Sequence, residues 1–205
     1  MADVGRTDFK KDIIAKKDSP IDLIRVATYI NAIPAAVEMI EDAAKKGYET
    51  TINIMAVSKA RTEDITAALE TLGKTPVNAF YIVDSYGALY PEESRRLADL
   101  YCSIADKYGK SVGIHAHNNQ QLAFANTIEA MTQGVSYLDA TVDGMGRGAG
   151  NCALELLLGI RLLLFSKSLR STPTNLRLRA LSGVTIFRTF SQVSTTHIPV
   201  LQFSL

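Results

Sequence analysis

His115 and His117 stand two residues apart in the segment SVGIHAHNNQ. In a β-strand, side chains alternate between faces with a period of two, so both imidazoles point the same way. Neutral imidazole is a common metal ligand. A His-x-His pair ending a parallel strand reads as two ligands of a divalent metal; the plainer alternative is a pair of hydrogen-bonded structural histidines. The chain has three histidines in all. The third, His197, lies in an unusual C-terminal segment, and no Ser-His-Asp arrangement is supported.

Four further places could carry chemistry. The loop DGMGRGAGN (143–151) has four glycines and leads toward a helix. Glycines let backbone amides approach a ligand, and a helix N-terminus favours anions. It lacks the spacing of a phosphate-binding loop, and it can also be a tight turn with Asn151 as N-cap. Asn151 could double as a metal ligand through its amide oxygen. Asp84 and Ser85 end a strand in IVDSYGALYPEE. The carboxylate could hold a metal or orient a histidine, and the hydroxyl could meet a substrate oxygen; capping of the loop is the bland alternative for both. Arg25 interrupts the apolar run IDLIRVAT, where a buried charge is costly unless paired. It faces either a substrate carboxylate or an internal acid such as Asp139, the latter being preferred. Asn53, in TINIMAVS, is expected to face inward. Lys59 could form a Schiff base, but nothing nearby argues for a depressed pKa. Neither Cys102 nor Cys152 looks activated.

These residues must be held by the elements around them. Short apolar runs alternate with helical patterns between residues 20 and 165. Strands are expected at Ile21–Ala27, Thr51–Val57, Ala79–Asp84, Ser111–His117 and Ser136–Val142. Helices are expected at Pro34–Lys46, Thr62–Leu72, Pro91–Tyr108, Gln120–Gln133 and Asn151–Phe165, several of them stopped by glycine. Five successive strand–helix units imply a parallel α/β sheet. The unusual residues follow the strands, at the C-terminal face where such folds bind ligands.

Bulk properties narrow the partners. With 205 residues, 47% of them hydrophobic, the chain can bury one sizeable core. A net charge of +1 gives no electrostatic reason to expect nucleic acid or an anionic membrane. No apolar run is long enough to span a bilayer, and two cysteines outside any Cys-x-x-Cys pair fit a reduced, cytoplasmic setting. After Glu155 the remaining 50 residues contain no Asp or Glu and six Lys or Arg. That shift separates residues 1–165 from an atypical tail, 166–205. The tail could be a basic segment, but its charges are sparse and interleaved with apolar residues, so a non-native continuation is the favoured reading.

Taken together, IRVAT, INIMAVS, YIVDSYGALYPEE and the stretch from VGIHAHNN to GMGRGAGN resemble the HMGL-like, pyruvate-carboxyltransferase-domain superfamily of metal-dependent aldolases and lyases. The resemblance covers about residues 1–165 and leans toward the 4-hydroxy-2-oxovalerate aldolase branch. It implies a (β/α)8 barrel with Mn²⁺ or Mg²⁺ held by both histidines, by a first-strand Asp and, in some members, by an Asn at the position of Asn151. It further implies a 2-oxo acid substrate, contacts from Ser85, cleavage of a carbon–carbon bond through a stabilised enolate, and a homo-oligomer or a partner dehydrogenase. Acyl-CoA-condensing synthase, CoA-lyase and non-catalytic roles remain open alternatives. The first-strand motif is absent. The resemblance therefore implies a partial TIM barrel of about five of eight strand–helix units, begun inside the third strand, and 205 residues that are inactive or nearly so by themselves.

Overall fold

The structure, a computed structural model, describes residues 1–160 together with the backbone of the strands Asn175–Leu181 and Val184–Phe190. Six strands run parallel in chain order: β1 (Ala2–Asp3), β2 (Leu23–Thr28), β3 (Glu49–Ile54), β4 (Ala79–Asp84), β5 (Ser111–Ala116) and β6 (Tyr137–Ala140). The helices α2 (Ile33–Lys45), α3 (Thr62–Gly73), α4 (Pro91–Lys107) and α5 (Ala123–Thr132) form the successive crossovers, and a short α1 (Phe9–Asp12) precedes β2. This is the α/β architecture of a partial TIM barrel. The strands β7 (Asn175–Leu181) and β8 (Val184–Phe190) pair antiparallel, and β8 continues the sheet beside β6. The expected boundary near residue 165 and His197 lie outside the described residues.

Alternation along each strand divides the sheet into two unlike faces. Val26, Ile52, Ile54, Phe80, Ile82, Val112, Ile114 and Leu138 point outward and belong to the large core under the helices. The helices meet them with apolar stripes at helical spacing, such as Ile33, Ala36, Ile40 and Ala43 on α2 and Ile65, Ala68, Leu69 and Leu72 on α3. The intervening strand residues face the concave side. There Tyr81 and Val83 form a separate small cluster with Ala79, against which Met55 and Tyr137 pack.

Two expected boundaries shift for identifiable reasons. The strand expected over Thr51–Val57 stops at Ile54, because Ala56 turns into the left-handed region at φ 55° and Val57 enters a 3-10 turn. The helix expected from Gln120 begins at Ala123, whose N–H donates to the Asn118 side chain at 3.2 Å. The intervening turn has Gln121 at φ 58°. Among the described residues no helix is long and apolar enough to cross a membrane.

Candidate functional site

β5 delivers His115 and His117 to the concave, C-terminal end of the sheet, both half-buried. Their rings lie edge-to-face with centroids 5.1 Å apart, as period-two alternation requires. Four loops interlock around them. The Ala56 N–H after β3 donates to Ser85 Oγ after β4 at 2.9 Å. Gly87 packs on the loop after β5, and Asn118 N–H donates to Gly150 O at 2.8 Å. Asn151 forms an isolated antiparallel bridge with His117, and Ala153 a parallel one with Thr141.

Those bridges change the expected role of Asn151. It is not a helix N-cap, because the helix begins only at 154 and Asn151 is held extended opposite His117. Its Nδ2 donates to Met145 O at 3.0 Å. Its Oδ1 is buried without a hydrogen-bond partner. An orphaned buried amide oxygen is expensive, and on a residue bridged through its backbone to His117 it fits a ligand that the oxygen would meet. The loop is shaped to keep it there. Gly150 sits at φ +89°, and a Cβ on it would come within 2.2 Å of Gly144 O.

His115 is tied to the acid on the neighbouring strand: its Nδ1 lies 2.9 Å from Asp139 Oδ2. Asp139 in turn receives a two-pronged pair from Arg25, with Nη2 to Oδ2 at 2.7 Å and Nη1 to Oδ1 at 3.2 Å. Of the two roles open to Arg25, the structure has the internal pair. All three guanidinium nitrogens are engaged, since Nε donates to Asn53 Oδ1 at 3.3 Å, and the expectation of a substrate-facing Arg25 gives way to this. Burial alone would raise the Asp139 carboxyl, but Arg25 and the hydrogen bond from His115 outweigh it and hold it below the usual range. His117 is lowered by burial first, then by His115 and Arg147, against an opposing pull from Asp84. That direction favours the neutral imidazole, the form that binds metals.

Asp84 is fully buried, and its two carboxylate oxygens accept the Ala88 and Leu89 N–H groups at 3.1 and 3.0 Å. It shapes the loop that carries Ser85, and its backbone carbonyl accepts the His117 N–H at 3.4 Å. Ser85 Oγ accepts one bond and, among the described residues, donates its own hydrogen to none. Lys59 is exposed, with its Nζ 5.8 Å from the centre of the Tyr86 ring, and lacks the dry surroundings a Schiff-base lysine needs. Burial pushes both thiols, Cys102 and Cys152, up to about 11, so neither is a ready nucleophile. Among the described residues no three His, Cys, Asp or Glu side chains cluster as a metal site; the set here is two imidazoles and an amide. A cavity of about 250 Å³ opens at the other end of the strands, lined in part by Glu49, Asn78, Lys110 and Tyr137, and holds none of the expected site residues.

Sequence reasoning missed Tyr81, Gly113 and Arg147. The Arg25 guanidinium lies 4.3 Å from the centre of the Tyr81 ring. That ring occupies the space left by Gly113, where a Cβ would come within 2.5 Å of it. The lone glycine inside SVGIH was the available signal, because glycine in a buried strand marks a close approach.

Comparisons with known proteins identify the family. The HMGL-like family model matches residues 26–181. An oxaloacetate decarboxylase of Mycobacterium tuberculosis is 34% identical over 137 residues, 67% of this chain and 40% of that protein. A 4-hydroxy-2-oxovalerate aldolase of Geobacillus thermodenitrificans is 30% identical over 149 residues, 73% of this chain and 42% of that protein. The solved N-terminal domain of a putative aldolase from Bacteroides vulgatus superposes with a TM-score of 0.62 at 32% identity, over 71% of this chain and 48% of that one. The chain thus spans about two fifths of the length of these curated relatives. With the family match covering most of its length and the histidine strand, the polar concave face and the glycine loop all in place, this chain belongs to the HMGL-like family.

Proposed function

We propose that this chain carries the histidine half of a divalent-metal site in a carbon–carbon lyase that releases pyruvate from a 4-hydroxy-2-oxo acid. The observation that carries the reading is the His115-x-His117 pair with rings 5.1 Å apart, with Asn151, whose Oδ1 is buried without a partner, bridged through its backbone to His117. Two imidazoles and an amide oxygen fit Mn²⁺ or Mg²⁺. When bound, such an ion would supply Lewis-acid stabilisation of developing negative charge.

The protein's own part is positional. His115, His117 and Asn151 would hold the ion, and Asp139 orients His115. The Ser85 hydroxyl is free to donate to a substrate oxygen. In the cleavage, the bond between the carbon next to the oxo group and the hydroxyl-bearing carbon breaks. Its electron pair stays as the enolate of pyruvate, the hydroxyl proton is lost, and the aldehyde departs; protonation of the enolate carbon gives pyruvate. Among the described residues the one carboxylate bonded to these imidazoles, Asp139, is already committed to Arg25, and no three His, Cys, Asp or Glu side chains cluster as a metal site; the reading therefore includes low turnover by these 205 residues.

A second reading, oxaloacetate decarboxylation, is favoured by the 34% identity to the mycobacterial enzyme. It produces the same enolate, with carbon dioxide leaving in place of the aldehyde. The experiment is pyruvate release by the chain from 4-hydroxy-2-oxovalerate and from oxaloacetate, after chelation and after Mn²⁺ is restored, with acetyl-CoA consumption measured alongside. Slow release from the hydroxy acid that needs both Mn²⁺ and His115 supports the first reading. A preference for oxaloacetate moves it to the second. Release that survives chelation, or acetyl-CoA consumption instead, overturns both.

A further inference from the structure

β2 and β6 are not neighbours, because β3, β4 and β5 lie between them. Yet Arg25 of β2 reaches Asp139 of β6 across the concave face, with both side chains under a tenth exposed. Every intervening strand helps. Asn53 on β3 accepts from Nε, Tyr81 on β4 offers its ring to the flat guanidinium, and Gly113 on β5 leaves room for that ring. A lysine could supply the charge, but its donors all sit on one rotating ammonium and give neither a planar fork reaching both Asp139 oxygens and Asn53 nor a stacking plane.

This arm ends on His115. A carboxylate locked into a two-pronged ion pair only accepts hydrogen bonds. The imidazole nitrogen facing it, Nδ1, must then carry the proton, and the lone pair is left on Nε2. We infer that Arg25 is a positioning residue, which acts through Asp139 to fix the His115 tautomer and so present Nε2 as the nitrogen available to a divalent metal. The tautomer part stands on the hydrogen bonds alone; the metal part rests on the proposed function.

The test uses the ¹⁵N-labelled, metal-free chain at about pH 8, above the ordinary histidine range. Long-range proton–nitrogen spectra of the imidazoles are read with His115→Gln for assignment. Wild type is expected to show His115 protonated on Nδ1 and bare on Nε2. Asp139→Asn, whose amide can turn to donate, is expected to move the proton to Nε2. Arg25→Lys is expected to give mixed tautomers and to weaken Mn²⁺ binding about 10- to 100-fold. The wild-type spectrum decides the point even if a variant does not fold: His115 protonated on Nε2 there overturns the inference. It is equally overturned if Arg25→Lys lowers only the unfolding midpoint and keeps both the wild-type tautomer and the wild-type Mn²⁺ affinity. If the tautomer follows Arg25 while no form, wild type included, binds Mn²⁺, the positioning is upheld and the metal reading fails.

Discussion

The two faces of the sheet are built from the same strands by opposite rules. On the helix-covered face, Val26, Ile52, Phe80, Ile82 and Ile114 are packed by shape and hydrophobicity, which are non-directional and tolerate exchange of similar volumes. On the concave face, Arg25, Asn53, Asp139 and His115 are held by directed bonds between 2.7 and 3.3 Å. Losing one partner there leaves a buried charge uncompensated. The outer face explains why the chain folds; the inner face explains why it folds around a particular pair of imidazoles.

The sharpest way to break this contrast is Arg25→Ala. Removing one partner of a buried ion pair costs about 3–5 kcal/mol, to be read as a drop in the urea midpoint, and the loss is expected to extend to metal binding. Ile82→Ala on the other face should cost about 2–5 kcal/mol by leaving a cavity, but Mn²⁺ affinity per folded molecule should not change. Equal effects of both variants on affinity would erase the distinction between the faces. Gly113→Ala drives a methyl group into the Tyr81 ring and should cost about 1–3 kcal/mol by overpacking. Its expected signature is loss of the Arg25–Tyr81 stack, seen as a shift of the Tyr81 ring protons.

Acid sharpens the comparison further. Asp139 is held below its unfolded value, so its contribution is fully present above the ordinary carboxylate value of about 3.9. It is lost as pH falls below that through the depressed folded value. Stability measured from pH 5 downward should therefore decline, and Asp139→Asn should flatten that decline. The smallest effect belongs to the surface. Arg95→Ala, which removes an exposed pair with Glu129, should leave the unfolding midpoint and Mn²⁺ binding unchanged.

Much of the outer face was legible in the sequence. Apolar runs of strand length separated by stripes at helical spacing set the order of elements, and Ala79–Asp84 was placed to the residue. His115, His117 and the Arg25–Asp139 pair were legible because a charge or a paired imidazole inside an apolar strand demands a partner. The turn at Ala56 was not, because its left-handed backbone is imposed by a bond to Ser85 on another loop. Asn151 read as a cap because a glycine loop before a helical pattern favours one. Its bridge to His117 is a long-range contact that local propensity does not encode. Tyr81 looked like an ordinary core aromatic, and only the glycine opposite it hinted at a stacking surface.

The most direct test of the central claim is Mn²⁺ titration of the chain, followed by loss of the free-ion electron paramagnetic resonance signal. Wild type is compared with His115→Ala plus His117→Ala and with Asn151→Ala. One Mn²⁺ per chain is expected for wild type, with no binding by the double variant and weakened binding when the Asn151 oxygen is removed. Wild-type binding no different from that of the double-histidine variant would contradict it.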